Sequence, residues 1–223
     1  MGWPYDPFAM ALDRELIVRT ALRLLEEVGL ETLSLRRLAK ELGVNPSALY
    51  WHFENKQELL DEMARAVVLT AITHPDVPAP TRNTWDDWLA HLARAQWRAV
   101  RSYRDGPLLL MAARPTADYQ LSYLDEILSR LVDAGFSPRE AGDAFVTISN
   151  YALGTALLGQ QHDRAGEIVG RRLDAGDDRH DPHDRHPSLA RIAESLADQE
   201  VTFERGLGWL IAGMRQSRDV SSS

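Results

Sequence analysis

Few side chains in this sequence stand at spacings that support chemistry, and those that do favour contact over catalysis. Between residues 45 and 56, Tyr50, His52 and Lys56 offer donors suited to phosphate oxygens, which fix a protein's register on nucleic acid without reading its sequence. Ahead of them, Asn45 offers a capping oxygen and Pro46 suits a first helical turn, where its missing N–H costs nothing. Ser47 and Ala48 are small enough to let a helix approach base edges closely. No carboxylate or nucleophile accompanies His52, so a catalytic base is not indicated. His180, His183 and His186 recur every third residue among Asp177, Asp178, Asp181 and Asp184, a donor set that suits a divalent cation. Pro182 and Pro187 prevent a regular helix there and nothing fixes the geometry, so a solvated loop is expected. With no nucleophile, acid–base pair or metal constellation elsewhere, the chain is not expected to be an enzyme.

The chain has 223 residues, 44% hydrophobic and 26% charged, enough to bury a core. No apolar run approaches the roughly 20 residues of a membrane span. Residues 1–11 lack the basic start and apolar run of a signal peptide and are expected to form a flexible arm. The absence of cysteine fits a reducing cytoplasm. A formal net charge of −8 argues at first against nucleic acid, but its distribution matters more than its sum. Residues 12–56 carry 7 basic and 7 acidic side chains, so the excess of acid lies wholly outside this stretch.

Helical periodicity runs from end to end, and an all-α fold is expected. Ile17, Ala21, Leu24 and Val28 form one apolar stripe, with Asp13 as N-cap and Gly29 as terminator. Ser34 caps a short second helix stopped by Gly43, and a third starts at Pro46. Two short helices joined by a tight Gly-containing turn form a helix-turn-helix, whose second helix enters the major groove N-terminus first; a three-helix packing unit with no nucleic-acid role has the same spacing. A DNA-binding domain is thus expected over 12–57, followed by a connector helix from about Lys56 to Ile72 and a proline loop, together 58–80. The body, 81–216, is expected to contain helices opened by Trp85, over 108–113 and 116–134, from Ala141 to about Gln160, and from Leu189 to about Met214. Arg104, Asp105, Gly106 and Pro107 are read as a break, and Ser137-Pro138-Arg139-Glu140 as a capping box. Residues 163–187 are expected to be mobile, with one helix around 165–173, and 217–223 to form a disordered tail. The two late, largely apolar helices suit a four-helix dimer interface, though burial within one monomer gives the same pattern.

The run Leu33-Ser34-Leu35-Arg36-Arg37-Leu38-Ala39, then Glu41-Leu42-Gly43-Val44, Ala48-Leu49-Tyr50-Trp51-His52-Phe53 and Asn55-Lys56, resembles the TetR family of transcriptional repressors. In the body, Trp85-Asp86-Asp87-Trp88-Leu89, Ser102-Tyr103-Arg104-Asp105-Gly106, Arg114-Pro115-Thr116, Gly135-Phe136-Ser137 and Ala152-Leu153-Gly154 are similar to the tetracycline-responsive members of that family. The resemblance implies an Ω-shaped homodimer that binds palindromic double-stranded operator DNA and responds to a small-molecule effector, with no membrane partner. Family DNA-contact positions fall here on Arg36, Asn45, Pro46, Ser47, Ala48, Tyr50, His52 and Lys56. The base-reading trio Pro46, Ser47 and Ala48 has few hydrogen-bonding groups, so an operator unlike the tetracycline operator is expected. Arg36 becomes the leading base contact, since an arginine can fork onto a guanine.

The same resemblance places Ile72, Leu92, Gln96, Leu110, Asn150 and Leu158 at positions where the tetracycline-responsive members hold a drug–magnesium chelate. Magnesium requires oxygen ligands, which leucine lacks. No cofactor and a more apolar effector are therefore expected. Gln96, Arg114 and Asn150 would serve as polar handles in a pocket lined by Ile72, Leu92, Leu110, Ala113, Pro115, Ile127, Leu131 and Leu158. Movement of 110–115 on ligand entry would swing the connector helix as a pendulum and splay the heads. An enzyme acting on the same small molecule, an activator, and a regulator answering to a protein partner are the competing readings; the first lacks its constellation.

Overall fold

The computed structural model describes residues 12–72, 84–114, 118–173 and 198–221, and among these described residues the regular structure is nine helices and no strand. In chain order they are α1 (Arg14–Thr32), α2 (Leu35–Glu41), α3 (Pro46–Leu49), α4 (Lys56–Ile72), α5 (Trp85–Arg101), α6 (Gly106–Ala112), α7 (Asp118–Asp133), α8 (Pro138–Leu173) and α9 (Gln199–Ser221). The boundaries follow local chemistry. Asp13 accepts from the Leu16 N–H at 2.7 Å and starts α1. Gly29 departs from helical geometry at φ +74° and turns the chain so that 30–32 form a separate last piece. In the 137–140 box, Glu140 Oε2 accepts from the Ser137 N–H at 2.8 Å while Ser137 Oγ accepts from the Glu140 N–H at 3.3 Å, two otherwise unpaired donors satisfied at the start of α8.

Three expectations need correction. Gly106 and Pro107 do not belong to the break: they open α6, with Pro107 in the first turn, where its missing N–H costs nothing. A Cβ on Gly106 would lie 2.0 Å from the Val100 carbonyl oxygen, so glycine is what allows α6 to fold back against α5. The helix expected around 165–173 is not separate, because α8 continues unbroken to Leu173. The last helix runs past Met214 to Ser221, so much of the expected tail is helical. The His180, His183 and His186 cluster lies outside the described residues.

Head, connector and body share one apolar core. Ile17, Leu38, Leu49 and Phe53 of the head continue through Leu59, Met63 and Val67 of α4 into Leu89, Ala93 and Val100 of α5. At the centre of the body, α5 packs against α4, α6, α8 and α9. Arg94 of α5 grips Glu204 of α9 bidentately at 2.7 and 2.8 Å, and Asp86 pairs with Arg215. Trp97 stacks on Phe203 with ring centroids 4.5 Å apart.

Candidate DNA interface and effector site

The head displays its recognition elements on buried anchors. Leu49 and Phe53 are fully buried and hold α3 and the turn after it, leaving Tyr50 57% and Trp51 89% exposed. Asn45 Oδ1 accepts from the Ser47 N–H at 3.0 Å and from the Ser47 hydroxyl at 2.9 Å. The Asn45 side-chain carbonyl oxygen and the Ser47 hydroxyl hydrogen are thus engaged with each other at the tip of α3. Pro46 is exposed and Ala48 half-buried beside them.

Pairing resolves the neutral charge count of the head. Arg14 pairs with Glu58 at 3.0 Å, Arg19 with Glu15 at 3.4 Å, and Arg23 with Glu41 at 2.7 Å and Glu27 at 3.2 Å. Lys56 turns inward and donates from Nζ to the Leu30 carbonyl at 3.2 Å, rather than standing free for a phosphate. His52 is half-buried, and its carbonyl accepts from Arg14. What remains is Arg36, Arg37 and Lys40, all exposed on α2 and without a carboxylate partner among the described residues. Of these only Arg36 was expected from sequence. Lys40 lies one turn beyond it on the same face, and the Trp51 indole stands exposed beside Tyr50.

Beyond the DNA-facing surface, a seam ties the head to α6. Asp105 adopts φ +57° and is 7% exposed; one oxygen of its side chain accepts from the Leu30 N–H at 2.9 Å, completing the end of α1. The Arg104 N–H donates to Glu26 Oε1 at 2.6 Å, and its guanidinium donates to the Glu27 carbonyl at 3.1 Å. At the far end of α6, Gln57 of the connector donates to the Ala112 carbonyl and to Asp61 Oδ1, both at 2.8 Å. Arg114 then donates to Asp61 from its N–H at 2.8 Å and from its guanidinium at 3.2 Å. Burial pushes the Asp61 carboxyl up, but the hydrogen bonds from Arg114 and Gln57 outweigh it and hold it below the ordinary range. Both ends of this seven-residue helix are therefore bonded to the part of the molecule that carries the DNA-binding surface.

The effector candidates divide by environment. Leu92, Ile127 and Leu131 are buried in the common core, with Leu110 and Ala113 half-buried against it. Gln96 is half-buried on α5. Arg114 is spent on Asp61, and Asn150 and Leu158 are exposed on α8, Leu158 at 55%. Ile72 ends α4; its side chain and all of Pro115 lie outside the described residues. A separate groove of about 260 Å³ opens between the starts of α8 and the end of α9, bounded by Phe136, Glu140, Asp143, Thr147, Met214 and Arg218; none of the candidates lines it.

Comparison with known proteins matches this two-part build. Residues 17–63 match the family described as bacterial regulatory proteins, tetR family, and residues 77–218 match the tetracyclin repressor-like C-terminal domain. The chain is 38% identical over 210 residues to the tetracycline repressor protein class C of Escherichia coli, covering 93% of this chain and 92% of that one. Among solved structures, a possible TetR family transcriptional regulator from Streptomyces coelicolor A3(2) superposes with a TM-score of 0.77 at 32% identity, covering 92% of this chain and all of that one. TetR (class A) in complex with 5a,6-anhydrotetracycline and magnesium does so with a TM-score of 0.66 at 31% identity, covering 92% and 99%.

Proposed function

Because the chain belongs to the TetR family of DNA-binding, ligand-responsive transcriptional regulators, which are not enzymes, we propose that it is a homodimeric repressor released from a palindromic operator by an apolar effector bound without magnesium. The observation that carries this reading is the bonding of α6 at both ends, to α1 through Asp105 and to α4 through Asp61. Leu110 lies within α6 and is half-buried against the core, so a ligand lodged beside Leu92 and Ile127 displaces an element that cannot move without pulling on the head. Coupling of this kind needs a differential contact at each site and a shared element that both bias. The pendulum of α4 follows, with 110–115 as its drive.

The operator face proposed here comprises Arg36, Tyr50 and the backbone-positioned Pro46, Ser47 and Ala48, with Asn45 holding the tip and His52 and Lys56 supporting from behind. Arg37 and Lys40 add phosphate contacts. Release without magnesium is supported by the leucines at 110 and 158, side chains with no oxygen to offer a hard cation. The magnesium complex of the class A relative is that protein's own chemistry.

The experiment is a binding titration of DNA upstream of the chain's own gene, with a panel of apolar polycyclic compounds and, separately, tetracycline with magnesium or with a chelator. Release by an apolar compound irrespective of chelator is the expected result. Binding that is salt-sensitive but indifferent to DNA sequence would sink the repressor reading. Release only by tetracycline with magnesium would sink the effector reading.

A further inference from the structure

Buried anchors and hydrogen bonds hold the first turn of α3 in one conformation. Leu49 and Phe53 tie it to the core, and the Asn45 backbone carbonyl accepts from the Ala48 N–H at 2.9 Å. Asn45 Oδ1 accepts twice more, from the Ser47 N–H at 3.0 Å and from the Ser47 hydroxyl at 2.9 Å. A backbone N–H can only donate, so the amide atom that meets it is the oxygen, and Nδ2 is the atom left over. An amide oxygen has two lone pairs. Both are used here, which fixes the amide plane and with it the direction of Nδ2. Asn45 and Ser47 are both exposed, and among the described residues neither side chain makes a further hydrogen bond.

What the pair still offers is one donor and one acceptor. Asn45 keeps its NH2 group, which can only donate. Ser47 keeps the lone pairs of Oγ, and with its single hydrogen committed to Asn45 it can only accept. A serine hydroxyl is ordinarily free to serve as either and discriminates poorly between bases. The bond to Asn45 removes that freedom. In the major groove only adenine sets an acceptor, N7, beside a donor, the N6 amine. Guanine sets two acceptors side by side, cytosine shows a donor and thymine an acceptor. Against guanine, Ser47 Oγ would meet O6 lone pair to lone pair, and could turn its hydrogen there only by breaking the bond to Asn45.

We propose that Asn45 and Ser47 act as one unit that reads a single adenine in each half-site, Asn45 Nδ2 donating to N7 and Ser47 Oγ accepting from the N6 amine; this rests on the operator face given above. Sites are first selected by the full-length chain from a library of random-sequence duplexes. Each adenine of the enriched half-site is then replaced in turn, either by 7-deazaadenine, which lacks the N7 acceptor, or by guanine with a cytosine partner. At one position the wild type is expected to lose about three- to tenfold in affinity with 7-deazaadenine, the factor one net hydrogen bond supplies. Guanine there should cost about 10- to 100-fold. Asn45→Asp keeps the oxygen that caps α3 and holds Ser47 but has no amide hydrogen, so it should bind adenine and 7-deazaadenine equally at that position. Ser47→Ala should keep the 7-deazaadenine effect and lose most of the preference for adenine over guanine. Each variant is read as a ratio between two duplexes, so a general fall in affinity does not decide the outcome. A wild type indifferent to 7-deazaadenine at every position, or an effect that persists in Asn45→Asp, would overturn the reading by Asn45 and leave the operator face standing. A preference over guanine unchanged in Ser47→Ala would overturn the role of the locked hydroxyl. A library that yields no enriched sequence would overturn both the operator face and this inference.

Discussion

The cations proposed to meet DNA are those their neighbours have left alone. Arg14, Arg19 and Arg23 are neutralised on the head's own surface, whereas Arg36, Arg37 and Lys40 carry their charge outward. Arg36→Ala is expected to cost about 1–3 kcal/mol of operator affinity and to relax discrimination at one base pair, measured by titration against single-site operator variants. Arg37→Ala should instead weaken all sequences alike and lower the slope of log affinity against log salt by about one. Asp61 gives a pH expectation with a definite sign. Its folded-state carboxyl is held below the ordinary value of 3.8, so its contribution to stability is complete above that value and lost as pH falls through the lower folded one. Asp61→Asn should therefore flatten the acid limb of the stability curve below about pH 4, followed by urea unfolding across pH. Sequence made Arg36 legible through the family pattern. It did not make the inward turn of Lys56 legible, because the Leu30 carbonyl that captures it lies 26 residues away.

Among the elements, those with a local terminator were the most readable. Asp13, Ser34, Asn45 and the 137–140 box all act as caps where the residue types indicated, since a cap is a contact within three residues. The misplaced start of α6 shows the opposite. Gly106 and Pro107 look like breakers until the close approach to Val100 is known, and that approach is tertiary. Gly106→Ala is expected to destabilise the fold by about 1–3 kcal/mol through forced overpacking. Gly43→Ala, where φ is +67° and nothing lies within 4 Å, should cost only the backbone strain of about 1 kcal/mol. Thermal unfolding of the two variants compares them directly. At the seam, Asp105→Ala removes the acceptor for Leu30, and amide hydrogen exchange should rise in the peptide spanning 26–33 while α8 and α9 stay protected.

For the whole molecule, the described surface carries apolar side chains in a distribution a monomer has no use for. Val146 and Leu158 on α8 and Val201 and Trp209 on α9 are 46–72% exposed, and Gly142, Gly154, Gly208 and Gly213 have open space where a Cβ would stand. Small residues beside exposed apolar ones permit close helix approach by a second copy. Trp209→Glu is expected to leave a species of 25.1 kDa by light scattering, half the wild-type mass, and to weaken operator binding at least a hundredfold through loss of the second half-site contact. The burial of Leu92, Ile127 and Leu131, proposed above to floor the effector site, was legible because helical periodicity reports burial.

The seam also bears on how such proteins can be recombined. The last turn of α1 is finished by a side chain from residue 105, and Gly29 is kept small by the same carboxylate, which a Cβ there would approach to 2.9 Å. The head is thus not a detachable reading device but a unit whose final helix end is supplied from the other side of the connector. A chimaera that transplants residues 12–57 onto a foreign body inherits an unfinished helix unless that body brings its own acidic residue in a left-handed turn at the matching place. For this chain, a foreign body is expected to accept the head only where it supplies counterparts of Arg104 and Asp105 opposite Gly29.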